Sequence, residues 1–239
     1  MRAVWTIASR EFGSFFRVPL GWVAIALYLC LAGVIFAERV LAPGEVASLR
    51  YLFNVSGFLL LPVAPAITMR LLSEEMRSGT IEPLMTSPVS DASIVLGKYV
   101  GAVLFLAAML GPTLIHAGVL YALGDPRPDL GPIAAGYLSL FLLGALYLAV
   151  GMLFSSLTAN QTLAFLGTFL FLLVAMMVTS DIVALPPALT RIASVVSLGP
   201  KLNDFAKGVI DTGHIVFFVA TSAWFLSLTY VSLQSRRWR

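Results

Sequence analysis

Six long apolar runs decide what this chain can fold into: roughly 19–37, 51–69, 98–123, 132–154, 161–180 and 214–232, each bounded by charge or proline. Crossing a bilayer core takes about 20 residues of helix, and in lipid every backbone polar group must be satisfied within the segment. Each run therefore reads as a membrane-spanning helix, and residues 1–239 read as one all-α transmembrane domain. Composition agrees, with 59% hydrophobic and only 11% charged residues, against about 25% charged in soluble domains.

Ahead of the first span, Val4, Ile7, Ala8, Phe12, Phe15 and Phe16 recur at helical spacing, while Arg2, Thr6, Arg10 and Arg17 fall mostly elsewhere on the wheel. This pattern predicts an amphipathic helix lying in the membrane interface, with Trp5 at headgroup depth. The N-terminal residues lack the short apolar region and small-residue cleavage site of a secretory signal, so the first span is expected to be retained.

An even number of spans puts both termini on one side, and each terminus carries three arginines: Arg2, Arg10 and Arg17, then Arg236, Arg237 and Arg239. With Arg70, Arg77 and Lys98 they make nine basic residues on that side, against Arg39, Arg50, Arg127, Arg191, Lys201 and Lys207 on the other. Positive charge favours the cytoplasmic face. Both termini are thus expected in the cytoplasm, with the segment between spans two and three beside them. Basic residues scattered at span ends read as membrane anchors and exclude a nucleic-acid surface.

Constellations that carry chemistry are absent. The two histidines, His116 and His214, belong to no His-plus-carboxylate motif, and the single cysteine, Cys30, allows neither an intrachain disulfide nor a cysteine-based metal site. No catalytic residue and no metal site is expected. His116 lies inside the third span, where an ionisable group marks a candidate polar pathway, or else a neutral imidazole bonded to a neighbouring helix. Gly97 and Gly101 form a G-x-x-x-G at the head of the same span, which serves either a dimer seam or packing within the bundle. A phosphate-cradling G-x-x-x-x-G-K-[ST] is missing, so any ATP hydrolysis belongs to another chain and no cofactor is expected on this one.

"SEEMRSGTIEPLMTSPVSD" is the long stretch in which charge, proline and glycine crowd together. Helix continuing from the second span through "RLLSEEMRS" should stop at Gly79, which accepts the left-handed cap conformation. Thr80 offers a new N-cap and Glu82 a first-turn carboxylate, while Pro83 is tolerated where amides have no intrahelical partner. Pro88 ends this short helix, and Ser90 with Asp91 caps the helix that runs through Lys98 into the third span. Glu74, Glu75, Arg77 and Glu82 form its polar contact set. On the other side of the membrane, 181–213 is long and rich in proline and glycine. There Leu189, Ile192, Ala193 and Val196 share a helical face, and a second short helix is expected around 203–210.

"EEMRSGTIEPLMTSPVSDASIVLGK" resembles the signature of ABC-2 type permeases, the membrane subunits of one class of ABC transporter, at Glu74, Glu75, Arg77, Gly79, Thr80, Ile81, Glu82, Leu84, Pro88, Val89, Ser90, Gly97 and Lys98. "LGDP", "SSLTANQTLAF" and "SLGPKLNDFAKGVID" are similar to the gliding-motility-associated subgroup. The resemblance implies a permease that couples ATP hydrolysis by a separate ATPase subunit, which uses ATP and Mg, to export across the bacterial inner membrane. It also implies a dimer of membrane subunits, with membrane lipid and an accessory envelope protein as further partners. The N-terminal helix would be the interfacial elbow, and residues 80–86 a coupling helix seated on the ATPase. Pro83 stands where the family pattern has an apolar residue.

Overall fold

Every apolar run forms helix in the computed structural model, which describes residues 2–42, 47–80, 89–124, 127–178 and 197–236. Among these residues all regular elements are helical: α1 (Arg2–Arg17), α2 (Pro19–Ile35), α3 (Arg50–Thr68), α4 (Ser73–Ser78), α5 (Asp91–Leu110), α6 (Leu114–Leu123), α7 (Leu130–Leu157), α8 (Gln161–Val178), α9 (Leu198–Ala206) and α10 (Thr212–Arg236). A π-helical turn, Phe36–Val40, extends α2. Five segments are long and apolar enough to cross a membrane: Pro19–Val40, Arg50–Ser78, Asp91–Leu123, Leu130–Leu157 and Thr212–Ser235. The run expected as the fifth of six spans gives a shorter apolar helix, Gln161–Met177, bordering residues that are not described.

The centre of the bundle is α7. Its most apolar stretch is 72% buried, against 28% for the first span and 22% for the last. It packs on α3, α5, α8, α9 and α10. Small residues allow this crowding: a Cβ on Gly151 would overlap the Thr68 hydroxyl of α3, and one on Gly144 would come within 2.6 Å of Leu106 on α5. Close backbone approach at small residues is the usual means of packing helices where lipid removes the hydrophobic incentive.

Two spans are broken where the sequence suggested continuous helix. α3 ends at Thr68, and after a turn at residues 69–72 the chain re-enters helix as α4. Ser155 of α7 fills the gap: its hydroxyl accepts from the amides of Leu72 and Ser73, each at 3.1 Å, and donates to the Met69 carbonyl at 3.3 Å. Backbone groups freed by the break are thus satisfied by a residue more than 80 positions away. The third span breaks at the 3-10 turn Gly111–Thr113, where the Tyr137 hydroxyl donates to the Thr113 carbonyl at 2.6 Å.

Capping follows the sequence more closely. Gly79 closes α4 at φ +71°, and the Ser90 hydroxyl accepts from the Ser93 amide at the start of α5. The short helix expected around 203–210 forms earlier, as Leu198–Ala206. Ser197 precedes it and Pro200 falls in its first turn, where a missing amide costs nothing. Gly208, at φ +89°, then turns the chain, with its amide on the Phe205 carbonyl at 2.8 Å. The helix expected through Leu189 and Val196 lies outside the described residues.

Candidate functional site

The amphipathic helix α1 is seated on the span that carries Lys98. A Cβ on Gly97 would come within 2.7 Å of Ile7, and one on Gly101 within 2.7 Å of Glu11 Cβ and 2.9 Å of the Ala8 carbonyl. The glycine face offered as a dimer seam or as packing within the bundle is therefore filled by the chain's own N-terminal helix. Phe15 stacks on Phe105 of α5 with ring centroids 4.6 Å apart, and the Trp22 indole N–H donates to the Phe16 carbonyl at 2.9 Å, fixing the turn from α1 into α2. Trp5 stays 62% exposed on the outer face.

At the centre of this junction the Lys98 ammonium, 3% exposed, meets two carboxylates: Glu11 Oε1 of α1 at 2.6 Å and Glu75 Oε1 of α4 at 2.8 Å. Three chain segments meet at one nitrogen. A buried cation is tolerable only when paired, and here the low-dielectric surroundings strengthen both pairs while making either loss expensive. The second oxygen of Glu75 is buried without a hydrogen-bond partner among the described residues. Arg70, in the turn, binds Glu74 through two nitrogens at 2.8 and 2.9 Å. That pair is part-exposed and worth correspondingly less.

An open cavity of about 230 Å³ adjoins the junction, between α1, the start of α2, the end of α3 and α4. Arg10, Glu11, Arg70, Glu74, Glu75 and Lys98 line its polar side, and Phe15, Leu20, Ala24 and Ile67 contribute to its apolar side.

Of the residues singled out from sequence, Glu74, Glu75, Arg77, Gly79 and Thr80 are brought together on α4 and its cap. Glu75 turns inward to Lys98; Arg77, Gly79 and Thr80 are exposed. The Thr80 hydroxyl bonds Ser78 Oγ at 2.8 Å, back toward α4. Ile81, Glu82, Leu84 and Pro88 lie outside the described residues, and with them the short helix expected after Gly79. His116 is remote from this cluster. It stacks on Phe36 with centroids 4.7 Å apart, and its Nδ1 is buried with no hydrogen-bond partner among the described residues.

Sequence reasoning missed Glu11. Its signal was available: residues 4, 8, 11 and 15 fall on one face, so Glu11 is an acid placed among the apolar residues of an amphipathic helix. An acid in that position calls for a buried cation.

Residues 41–200 match the family described as ABC-2 family transporter protein. The chain belongs to this ABC-2 family. Similar proteins include the probable multidrug ABC transporter permease YbhR of Escherichia coli strain K12 and its namesake in Escherichia coli O157:H7, each 29% identical over 113 residues. The matched stretch makes up 47% of this chain and spans 30% of the length of those relatives. The family match takes in α3 to α8 and so contains α4 and Lys98, whereas Glu11 lies before its first residue. Family and apolar helices together describe a multi-pass membrane protein.

Proposed function

We propose that this chain is the membrane subunit of an ABC exporter, working as a homo- or heterodimer with a separate ATPase that docks against α4, Gly79 and residues 80–88. In this reading six spans cross the bacterial inner membrane, both termini face the cytoplasm, and α1 is the interfacial elbow. The observation that carries the proposal is the junction at Lys98. A load applied to α4 cannot move that helix without drawing on α1 through Glu11 and on the third span through Lys98 itself. Ser155 gives α4 a further attachment to the central span. ATP and Mg act in the partner, and this chain converts the partner's closure into relative movement of its spans.

The test is to purify the chain from its native membrane and identify what accompanies it, then to measure ATP-dependent transport in variants. An ATPase at equal stoichiometry is expected. Glu75→Lys places a second cation against Lys98, and Gly79→Val strains the left-handed cap. Both should abolish coupling while leaving membrane insertion intact. Unaltered ATP-dependent activity in both variants would sink the assignment.

A second reading is favoured by the resemblance to the gliding-motility-associated subgroup: a membrane anchor that passes ATPase-driven movement to an envelope or motility machine through an accessory envelope protein, with no substrate crossing. It predicts that an envelope protein co-purifies and that no solute accumulates in vesicles energised with ATP.

A further inference from the structure

The chain is held very unevenly on the two sides of the break after α3. Before it, Thr68 sits against Gly151 of α7 with no room for a Cβ between them, and its hydroxyl donates to the Ala64 carbonyl at 2.9 Å. In the turn itself Leu71 and Leu72 are 3% and 0% exposed and stay with the core. After it, only Ser73 of the six residues of α4 is buried, and the helix has no side-chain cap at its start. A helix of this length has almost no stability of its own. α4 therefore keeps its place only through its attachments.

Two of these attachments are polar, and each ends on a single atom. The Leu72 and Ser73 amides and the Met69 carbonyl bond to Ser155 Oγ, and Glu75 Oε1 bonds to Lys98 Nζ. Hydrogen bonds that share one oxygen tolerate a change of angle, since they weaken steeply only below about 120°. An interdigitated apolar face does not. Space to move adjoins the helix. The open cavity of about 230 Å³ has Leu71, Glu74 and Glu75 on one wall and Ser14, Val18 and Leu20 on another, so this flank of α4 has no side chain packed against it among the described residues.

We propose that Leu72 and Ser73 form a hinge, with Ser155 Oγ as its pivot, about which α4 swings as a rigid lever into the cavity toward α1. The pair of Glu75 with Lys98 is the link that holds the lever at rest and passes its movement to α5. Hinges are commonly a few residues at the end of an element that absorb the change in φ and ψ. The inference deepens the coupling reading and takes from it only that α4 is the part a partner moves. It is tested on the chain alone, without an ATPase, so its failure leaves that reading to the co-purification experiment.

Double electron-electron resonance on the full chain in nanodiscs tests it, in a Cys30→Ser background. One label pair, Arg77→Cys and Thr162→Cys, measures α4 against α8; the other, Phe58→Cys and Thr162→Cys, measures α3 against α8, and all three sites are exposed. Glu75→Ala opens the link while leaving Glu11 on Lys98. It should raise the share of chains with a second α4 distance about tenfold, as expected for the loss of a hydrogen bond to a charged group, while the α3 distance stays as in the parent. Ser155→Ala, which removes the pivot, should broaden the α4 distances and again spare α3. An α4 distance unchanged in both variants overturns the proposal. So does an α3 distance that moves together with α4, because the break would then carry motion through instead of absorbing it.

Discussion

Two helix contacts in this molecule use the same device and lock it differently. α1 lies against α5 at Gly97 and Gly101, and α7 lies against α3 at Gly151; in each, the missing side chain lets backbones approach. The first contact is closed by charge, with Glu11 and Glu75 on Lys98. The second is closed by a hydroxyl, with Ser155 bonded to three backbone groups of the turn after α3. The difference follows from what else holds each helix. α7 is surrounded by partners and needs only its polar gap filled. α1 packs almost wholly on α5 and the start of α2, so its place depends on that one face, which the ion pair to Lys98 locks in register.

Removing the cation should break the first lock most severely. Lys98→Met leaves two part-buried carboxylates facing each other without their cation, at a cost of up to about 3 kcal/mol, and should show as a fall in the denaturant midpoint of the detergent-solubilised chain and as protease cleavage after Arg10 and Arg17. Overfilling the same seat comes next. Gly101→Val pushes against Glu11 and the Ala8 carbonyl, costs about 1–3 kcal/mol, and should release α1 to proteolysis while the spans stay folded. If cleavage in α1 and loss of the spans coincide, the two contacts are one cooperative unit and the comparison fails.

Ser155→Ala tests the second lock. It strands the Leu72 and Ser73 amides and should cost about 1–2 kcal/mol, read as faster hydrogen exchange at 69–73 with no change in cleavage of α1. Arg70→Gln is the smallest effect. Its pair with Glu74 is part-exposed, so the loss should be about 0–1 kcal/mol and should vanish at high salt, as measured by melting at two ionic strengths.

What the sequence made legible was local. Apolar runs located five helices long enough to span and one shorter helix, Gly79 stopped α4 because it accepts a positive φ, and Ser90 capped α5, since each depends on residues within a turn of itself. The break at 69–72 was not legible, because the groups that satisfy it come from Ser155, brought there by the packing of α7. Pro200, one of the prolines that made 181–213 look irregular, sits in the first turn of α9, where a missing amide costs nothing. In the candidate site the sequence marked Glu75 and Lys98 separately. Their meeting with Glu11 depends on Gly97 and Gly101 facing α1, and spacing alone left those glycines open between an inner and an outer partner.

The pairing of Glu11 with Lys98, 87 positions apart, also sets an order in time. α1 is synthesised well before the residues that seat it, which arrive only with the third span. At about 5–20 residues per second, α1 waits roughly 4–17 s for its partner. Through that interval only α2, joined to it by the Trp22 bond to Phe16, is at hand to pack on α1, so the seat on α5 is completed late although the helix is made early.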